Sequence, residues 1–194
     1  LVAGGRYHNF KDFMGFPKVG PKSLIYPPSP PLPHPGLQPN RSIFEMIRIK
    51  DVMLHYPYQS FHYIVDLLRE ASIDPNVRSV KMTFYRAASN SNVMNALMNA
   101  ARNGKSVTVF LELQARFDEE ANIFWAEKLQ NTGVKILPTI PGMKVHSKLI
   151  LIRRKENMQN VYYANVSTGN FNESTAKVYA DDSLLTANQD IATD

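Results

Sequence analysis

Apolar positions in the middle of the chain recur at the spacing of helices. Ser42 and Glu45 have the spacing of a capping box, which predicts a short helix. A second helix is predicted after Ser60, and a third begins near Ser91 and ends at Gly104. The apolar faces of the second and third helices are Phe61, Ile64, Val65, Leu68 and Ala71, and Val93, Met94, Leu97, Met98 and Ala101. This periodicity predicts helices packed on a core.

Short runs of apolar and β-branched residues lie between and after these helices and predict strands. The predicted strands are Val77–Tyr85, Ser106–Leu113, Val134–Leu137, Val145–Ile152 and Val161–Val166. The polar stretch Arg153–Asn160 is expected to join the last two. Helices that alternate with such strands indicate an α/β layered fold, with a mostly parallel mixed sheet flanked by helices.

One more helix is predicted where acidic residues follow a strand. Asp118, Glu119 and Glu120 favour the positive end of a helix dipole, and Gly133 marks the end of this helix. The residues assigned to it are Ala121, Phe124, Trp125 and Leu129.

Residues 1–41 differ from the rest of the chain. They hold nine of its 13 prolines, which predicts an extended, partly polyproline-like connector. Four aromatic residues within it, Tyr7, Phe10, Phe13 and Phe16, favour packing against another element, and a disordered tail is the alternative. We therefore divide the chain into a connector from a preceding domain, 1–41, and a catalytic domain, 42–194. The start at Leu1 and the polar end at Asp194 lead us to expect a piece of a longer protein.

Composition and charge narrow the possible chemistry. The chain has no cysteine, which excludes disulfides, thiolate metal sites and cysteine nucleophiles. Its net charge is +5, but residues 1–50 hold seven basic and two acidic residues, whereas residues 51–194 hold fifteen of each. An anion site in the folded part must therefore be built from a few placed groups. No apolar run approaches the roughly 20 residues of a membrane span.

His146 and Lys148 are the first candidates for chemistry. They alternate with Ser147, so in a strand both side chains would point to one face. The ammonium would disfavour protonation of the imidazole and would hold an anion in front of it. The alternative is an exposed edge strand with polar residues.

Further candidate groups follow the predicted strands. The loop Ser167–Asn172, which contains Asn170, could present backbone and amide donors to phosphate oxygens, or could be an ordinary turn. Arg86 and Arg116 each follow a buried strand, at the carboxyl end where α/β sheets bind ligands. Two guanidinium groups suit a polyphosphate, although Arg116 could instead pair with a nearby carboxylate of residues 118–119.

Together these segments resemble the large bacterial polyphosphate kinases. The matching segments are Gly5–Phe10, Leu54–Tyr58, Tyr85–Arg86, Leu113–Ile123, Pro141–Leu149, Thr168–Asn172, Thr175–Tyr179 and Ser183–Ala187. The resemblance covers nearly the whole chain, in order. It implies a phospholipase D-like fold, with this chain as the first of two such domains in a protein several times longer.

The resemblance also implies an activity and assigns residues to it. The family transfers the γ-phosphate of ATP reversibly to inorganic polyphosphate through a phosphohistidine, the position of His146. Arg86 and Arg116 match the magnesium–nucleotide site; having no acceptor atoms, they would act through phosphates rather than on Mg²⁺ itself. Tyr179 matches a nucleotide-contacting tyrosine. We add Asp181 as a candidate to hold the imidazole by its other nitrogen.

Two departures from related patterns bear on the alternatives. Phospholipase D enzymes have an aspartate where this chain has Arg153, which argues against a phosphodiesterase. Ser167 replaces an expected glycine, a small change. A phospholipase D-like phosphodiesterase and a non-catalytic polyanion-binding module remain the alternatives. The second catalytic histidine of the family would lie in the other related domain, so the piece alone is expected to be inactive.

The expected partners are ATP or ADP and inorganic polyphosphate, with Mg²⁺ as cofactor and without nucleic acid. A homo-oligomer is expected for the full-length protein. The expected location is the cytoplasm, with attachment to the inner face of the membrane as one option.

Overall fold

The computed structural model describes residues 13, 15–27, 29–85, 88, 90–112, 119–139 and 146–193, of which residues 119–121 are described by their backbone alone. The chain divides into two compact units, Leu1–Pro30 and Pro31–Asp194. In the first unit Lys22–Leu24 forms a 3-10 turn, and Phe13 and Phe16 are exposed. Leu37, within the proline-rich stretch, is buried in the second unit.

The second unit alternates helices and strands. Its helices are α1 Ile43–Ile49, α2 His62–Ile73, α3 Asn92–Arg102, α4 Glu119–Gln130 and α5 Gln189–Thr193. Its strands are β1 Val52–Tyr56, β2 Val77–Phe84, β3 Ser106–Leu111, β4 Lys135–Pro138, β5 Lys148–Glu156, β6 Gln159–Ser167 and β7 Asp181–Thr186. No helix in the described part of the chain is long and apolar enough to cross a membrane.

The strands form one mixed sheet in the order β1-β7-β6-β5-β2-β3-β4. The pairs β2–β3 and β3–β4 are parallel, and the other four neighbouring pairs are antiparallel. The layered α/β architecture is confirmed, but the sheet is less parallel than the sequence pattern predicted. The reason is that β7 and the β5–β6 hairpin lie between β1 and β2 and pair antiparallel with their neighbours.

The core lies between the sheet and helices α1 to α4. Strands β1, β2, β3 and β4 run in one direction, and each crossover moves the same way across the sheet. Right-handed crossovers therefore place α2, α3 and α4 on one face. The predicted inward residues of α2 and α3 are buried, apart from Ala101, which is half-buried. On α4, Trp125 and Leu129 are buried, whereas Phe124 is exposed.

Several predicted boundaries were wrong by a few residues, each for a visible reason. α2 begins at His62, and Ser60 Oγ accepts from the N–H of His62 without being the N-cap. The polar stretch from Arg153 onwards is mostly strand, because its backbone completes the β5–β6 ladder, and the half-buried Arg154 and Glu156 pair with each other. β5 begins at Lys148, so His146 precedes the strand.

Candidate active site

His146 and Lys148 meet at one edge of the sheet. Lys148 Nζ lies 3.1 Å from Nδ1 of His146 and also donates to the carbonyl of the same residue. Lys148 is only 5% exposed, whereas His146 is exposed. The pair is therefore formed, but not by two side chains on one strand face. The buried lysine at the start of β5 contacts His146, two residues before the strand.

Thr83 of β2 fixes this start of β5. Its hydroxyl donates to the carbonyl of Ser147 at 2.7 Å and accepts from the N–H of Leu149 at 2.9 Å. Both bonds flank Lys148 in the sequence. A single half-buried threonine thus holds the backbone on either side of the lysine. The sequence does not reveal this contact, because threonine is an ordinary strand residue.

An aromatic ring forms one side of the site. The Tyr85 ring lies edge-on to the His146 ring, with centroids 5.5 Å apart at 70°, and its centroid is 5.8 Å from Lys148 Nζ. Tyr85 follows β2 directly. The imidazole and the ammonium therefore share one aromatic neighbour, which limits how far either side chain can swing.

The electrostatics of Lys148 follow from its position. Burial lowers the pKa of the Lys148 ammonium, and the negative charge of Asp181 acts in the opposite direction. While the lysine is charged it can only donate, so Nδ1 of a neutral His146 is the acceptor and its proton sits on Nε2.

Asp181, at the start of β7, is held by the loop that follows β6. Its Oδ1 accepts from the hydroxyl of Thr168 at 2.8 Å. Gly169 packs directly on its carboxylate, so that a Cβ at this glycine would lie 2.5 Å from Oδ2. The carboxylate is thereby fixed close enough to influence Lys148.

The loop after β6 is anchored at its far end by Glu173. This carboxylate accepts from the N–H groups of Asn92 and Val93, at 2.7 and 3.2 Å, and from the hydroxyl of Ser91 at 3.2 Å. The site loop is therefore tied to the first turn of α3. Sequence analysis missed Glu173 because nothing local distinguishes it from a surface glutamate.

Asn170 and Tyr179 occupy different environments in this region. The Oδ1 atom of Asn170 is buried and has no hydrogen-bond partner among the described residues, so the unpaired atom of this amide is an acceptor. Tyr179 is exposed, two residues before Asp181. Arg86 and Arg116 lie outside the described residues.

The described side chains do not supply enough ligands for a magnesium site built by the protein alone. Across the described ranges no group of three or more histidine, aspartate or glutamate side chains could hold a metal ion. Among the described residues near His146, the carboxylate that acts on Lys148 is that of Asp181. Mg²⁺ commonly binds through one or two carboxylates together with substrate phosphates. The described residues would supply at most a carboxylate, and the phosphates would come from the substrate.

Comparison with protein families gives one family for this domain. Residues 42–194 match the family described as polyphosphate kinase C-terminal domain 1. The polyphosphate kinase of Vibrio vulnificus strain YJ016 is 53% identical over 192 residues, which are 99% of this chain and 27% of that protein. The polyphosphate kinase of Escherichia coli K12 is 52% identical over 189 residues, 96% of this chain and 28% of that protein. The chain thus spans about a quarter of the length of these relatives.

Solved structures agree with this comparison. The polyphosphate kinase of Porphyromonas gingivalis superposes with a TM-score of 0.81 at 42% identity, covering 97% of this chain and 31% of that one. The phospholipase D family member Nuc of Salmonella typhimurium gives a TM-score of 0.58 at 19% identity, covering 74% of this chain and 87% of that one. The second likeness shows that the fold is shared with phospholipase D proteins.

Proposed function

Because the chain belongs to the polyphosphate kinase family, through C-terminal domain 1, we propose that it supplies His146 as the phosphorylated residue of an ATP:polyphosphate phosphotransferase. The observation that carries the proposal is the pair at the sheet edge: an exposed imidazole with a buried ammonium 3.1 Å from its Nδ1. Such a pair joins a nucleophile to a fixed positive charge, which is what phosphoryl transfer requires.

The reaction has two balanced steps. In the first, an imidazole nitrogen attacks the γ-phosphorus of ATP, an N–P bond forms, the bond from that phosphorus to the bridging oxygen breaks, and ADP leaves. In the second, the terminal oxygen of polyphosphate attacks the same phosphorus and the N–P bond breaks. Histidine is regenerated and the polymer is one phosphate longer. Both steps are reversible because the bonds exchanged are similar.

Cationic and amide groups would neutralise charge on the moving phosphoryl group. Lys148 is fixed by its burial and by the Thr83 contacts around it. The Nδ2 group of Asn170 would donate to a phosphate oxygen. Arg86 and Arg116 follow β2 and β3, which end at the edge where β5 begins, and we assign both to the nucleotide phosphates. Tyr179 is exposed and available to contact the nucleotide.

Asp181 would set the tautomer of the nucleophile. While Lys148 donates a hydrogen bond to Nδ1 of His146, the imidazole proton is on Nε2, and that nitrogen has no lone pair for attack. When an incoming phosphate accepts the hydrogen bond of the Lys148 ammonium in place of Nδ1, solvent can carry the imidazole proton from Nε2 to Nδ1. Asp181 would then accept a hydrogen bond from Nδ1–H, and Nε2 would have the lone pair for attack. The fixed position of Asp181 on Thr168 and Gly169 supports this exchange.

Mg²⁺ would enter as part of the nucleotide complex, bound mainly by phosphate oxygens, and would offset their negative charge. The protein groups proposed here contact phosphates, so no step depends on a metal ligand from this chain.

The direct test uses the full-length parent protein with labelled ATP. We expect acid-labile, base-stable label that is lost in His146→Ala and kept in His62→Ala, a matched change at an exposed histidine of α2. Normal labelling of His146→Ala would show that another residue is phosphorylated.

A further inference from the structure

The ends of the two strands that precede the family arginines are both hydrogen-bonded to helix α4. Arg86 follows β2, and Arg116 lies between β3 and the first residue of α4, Glu119. Two side chains of α4 are buried almost completely: Asn122 is 0% exposed and Trp125 is 2% exposed. Both donate hydrogen bonds away from their own helix.

Asn122 joins the ends of two neighbouring strands. Its Nδ2 donates to the carbonyl of Tyr85 at 3.1 Å, directly after β2, and to the carbonyl of Glu112 at 2.7 Å, directly after β3. The N–H of Glu112 in turn donates to the Phe84 carbonyl at 3.0 Å. One amide therefore fixes the two strands at the point where both arginine segments begin.

Trp125 holds the first of these segments further along. Its Nε1 donates to the carbonyl of Ala88 at 2.9 Å. Residues three apart lie on the same side of a helix, so one face of α4 holds the carbonyls at 85 and at 88. Arg86 stands between these two held positions in the sequence.

Burying an asparagine in a core costs the free energy of removing its amide from water. Its amide must find partners or lose the free energy of hydration, and an apolar residue of similar volume would pack there without that requirement. We infer that Asn122 and Trp125 are positioning residues for Arg86: they hold the carbonyls of residues 85 and 88, on either side of it in the sequence, and Asn122 also joins the end of β2 to the end of β3. This inference rests on the proposed function, in which Arg86 binds nucleotide phosphates.

The expected effect is on rate more than on folding. Asn122→Asp keeps the shape but removes the donor and sets carboxylate oxygens against two carbonyls. A misplacement of about 1 Å can reduce catalysis on the order of 10²-fold, so we expect at least ~10-fold slower labelling of His146 in the full-length parent at saturating ATP. Trp125→Phe removes one donor and keeps an apolar ring, so its loss should be smaller.

Leu129→Ala is the stability control. Leu129 is a buried residue of the same helix, and its replacement should lower the melting temperature without slowing labelling well below that temperature. If Leu129→Ala slows labelling as much as Asn122→Asp does, the effect is one of helix stability and the inference is wrong.

The deciding measurement is a double-mutant cycle with Arg86→Ala. If Asn122 acts through Arg86, removing the arginine from the Asn122→Asp protein should cost much less than removing it from the wild type. Losses that simply multiply would overturn the inference. Should Asn122→Asp not fold, the same cycle with Trp125→Phe decides. Normal labelling of His146→Ala would overturn the proposed function itself, whereas an unlabelled His146→Ala with multiplying losses overturns only the positioning role.

Discussion

Gly169 and Asp181 are packed so closely that no side chain fits between them: a Cβ on Gly169 would lie 2.5 Å from Oδ2 of Asp181 and 2.6 Å from its Cγ. The glycine is required here for space. The carboxylate thereby rests on backbone on one side and accepts from Thr168 on another. Its position relative to Lys148 is a property of the loop as much as of the aspartate.

Gly169→Ala should therefore damage the site more than the fold. The added methyl must displace either the Asp181 carboxylate or the loop, and overpacking of this kind costs about 1–3 kcal/mol of stability. We expect labelling of His146 in the full-length parent to slow by ~10-fold or more. Gly104→Ala is the control, since Gly104 has φ +78 and open space around it. That change should lower stability while leaving labelling intact; equal labelling in both variants would contradict the prediction.

As the pH rises, the rate of His146 phosphorylation should begin to fall at a lower pH than it would if Lys148 had the pKa of a free lysine. Burial lowers the pKa of Lys148 from the ordinary 10.5. The ammonium is present below that lowered pKa and is lost as the pH rises through it. Lys148→Arg keeps its charge and should move the alkaline limb of the single-turnover profile upward. Lys81→Arg, on the exposed part of β2, should leave the limb in place. An unchanged limb in Lys148→Arg would mean that the lysine does not control it.

The free energy of unfolding should depend on pH through Glu156. Burial by itself would raise the pKa of this carboxyl, but hydrogen bonds from Tyr163 and Arg154 and the charge of Arg48 lower it. A lowered pKa contributes stability above the ordinary carboxyl value of 4.5, and this is lost as the pH falls through the folded-state pKa. Glu156→Gln should thus be less stable by about 1–3 kcal/mol at neutral pH.

Urea unfolding of residues 1–194 at a series of pH values tests this. The gap between wild type and Glu156→Gln should narrow as the pH falls below 4.5. Glu127→Gln, an exposed position on α4, should show little gap at any pH. A gap for Glu156→Gln that persists unchanged into acid would show that packing, not charge, is lost.

The β5–β6 hairpin offers a stabilising change. Its two loop residues, Asn157 and Met158, have φ of 47 and 69, and Met158 is 83% exposed. A left-handed conformation costs a residue with a Cβ roughly 1–2 kcal/mol, and glycine avoids most of this at some cost in chain entropy. Met158→Gly should raise the free energy of unfolding by ~0.5–1 kcal/mol. Met158→Ala, which keeps the Cβ, should not; a gain in both would point to the exposed side chain instead.

Local signals in the sequence located most of the helices. Ser42 Oγ accepts from the N–H of Glu45 at 3.2 Å, and Ser91 Oγ accepts from the N–H of Met94 at 3.3 Å, as their spacing predicted. Caps and periodicity are encoded within a few residues, so one sequence is enough to find them. The direction of sheet pairing is not local: nothing near β5 shows that it will lie antiparallel beside β2.

The candidate site divides in the same way. Sequence analysis found His146 and Lys148 but placed both in a strand, because the backbone bonds that start β5 come from Thr83, far away in the chain. Phe124, Trp125 and Leu129 lie in α4 as predicted, but Asn122 was overlooked, although Asn122, Trp125 and Leu129 recur at helical spacing. Polar residues on such a face are buried only if distant carbonyls accept from them, which the sequence does not display.

The pairing of β1 with β7, with Val52 opposite Leu185, has a consequence for synthesis. During synthesis β1 emerges from the ribosome before the other strands of this sheet, and its partner β7 emerges after them. Strands β2, β3 and β4 can assemble with their helices while β1 is still unpaired. β1 can join the sheet only after β7, Asp181–Thr186, has been synthesised. A chain stalled before that point would present the unpaired edges of β1 and β6 to other nascent chains, the kind of exposure that leads to aggregation.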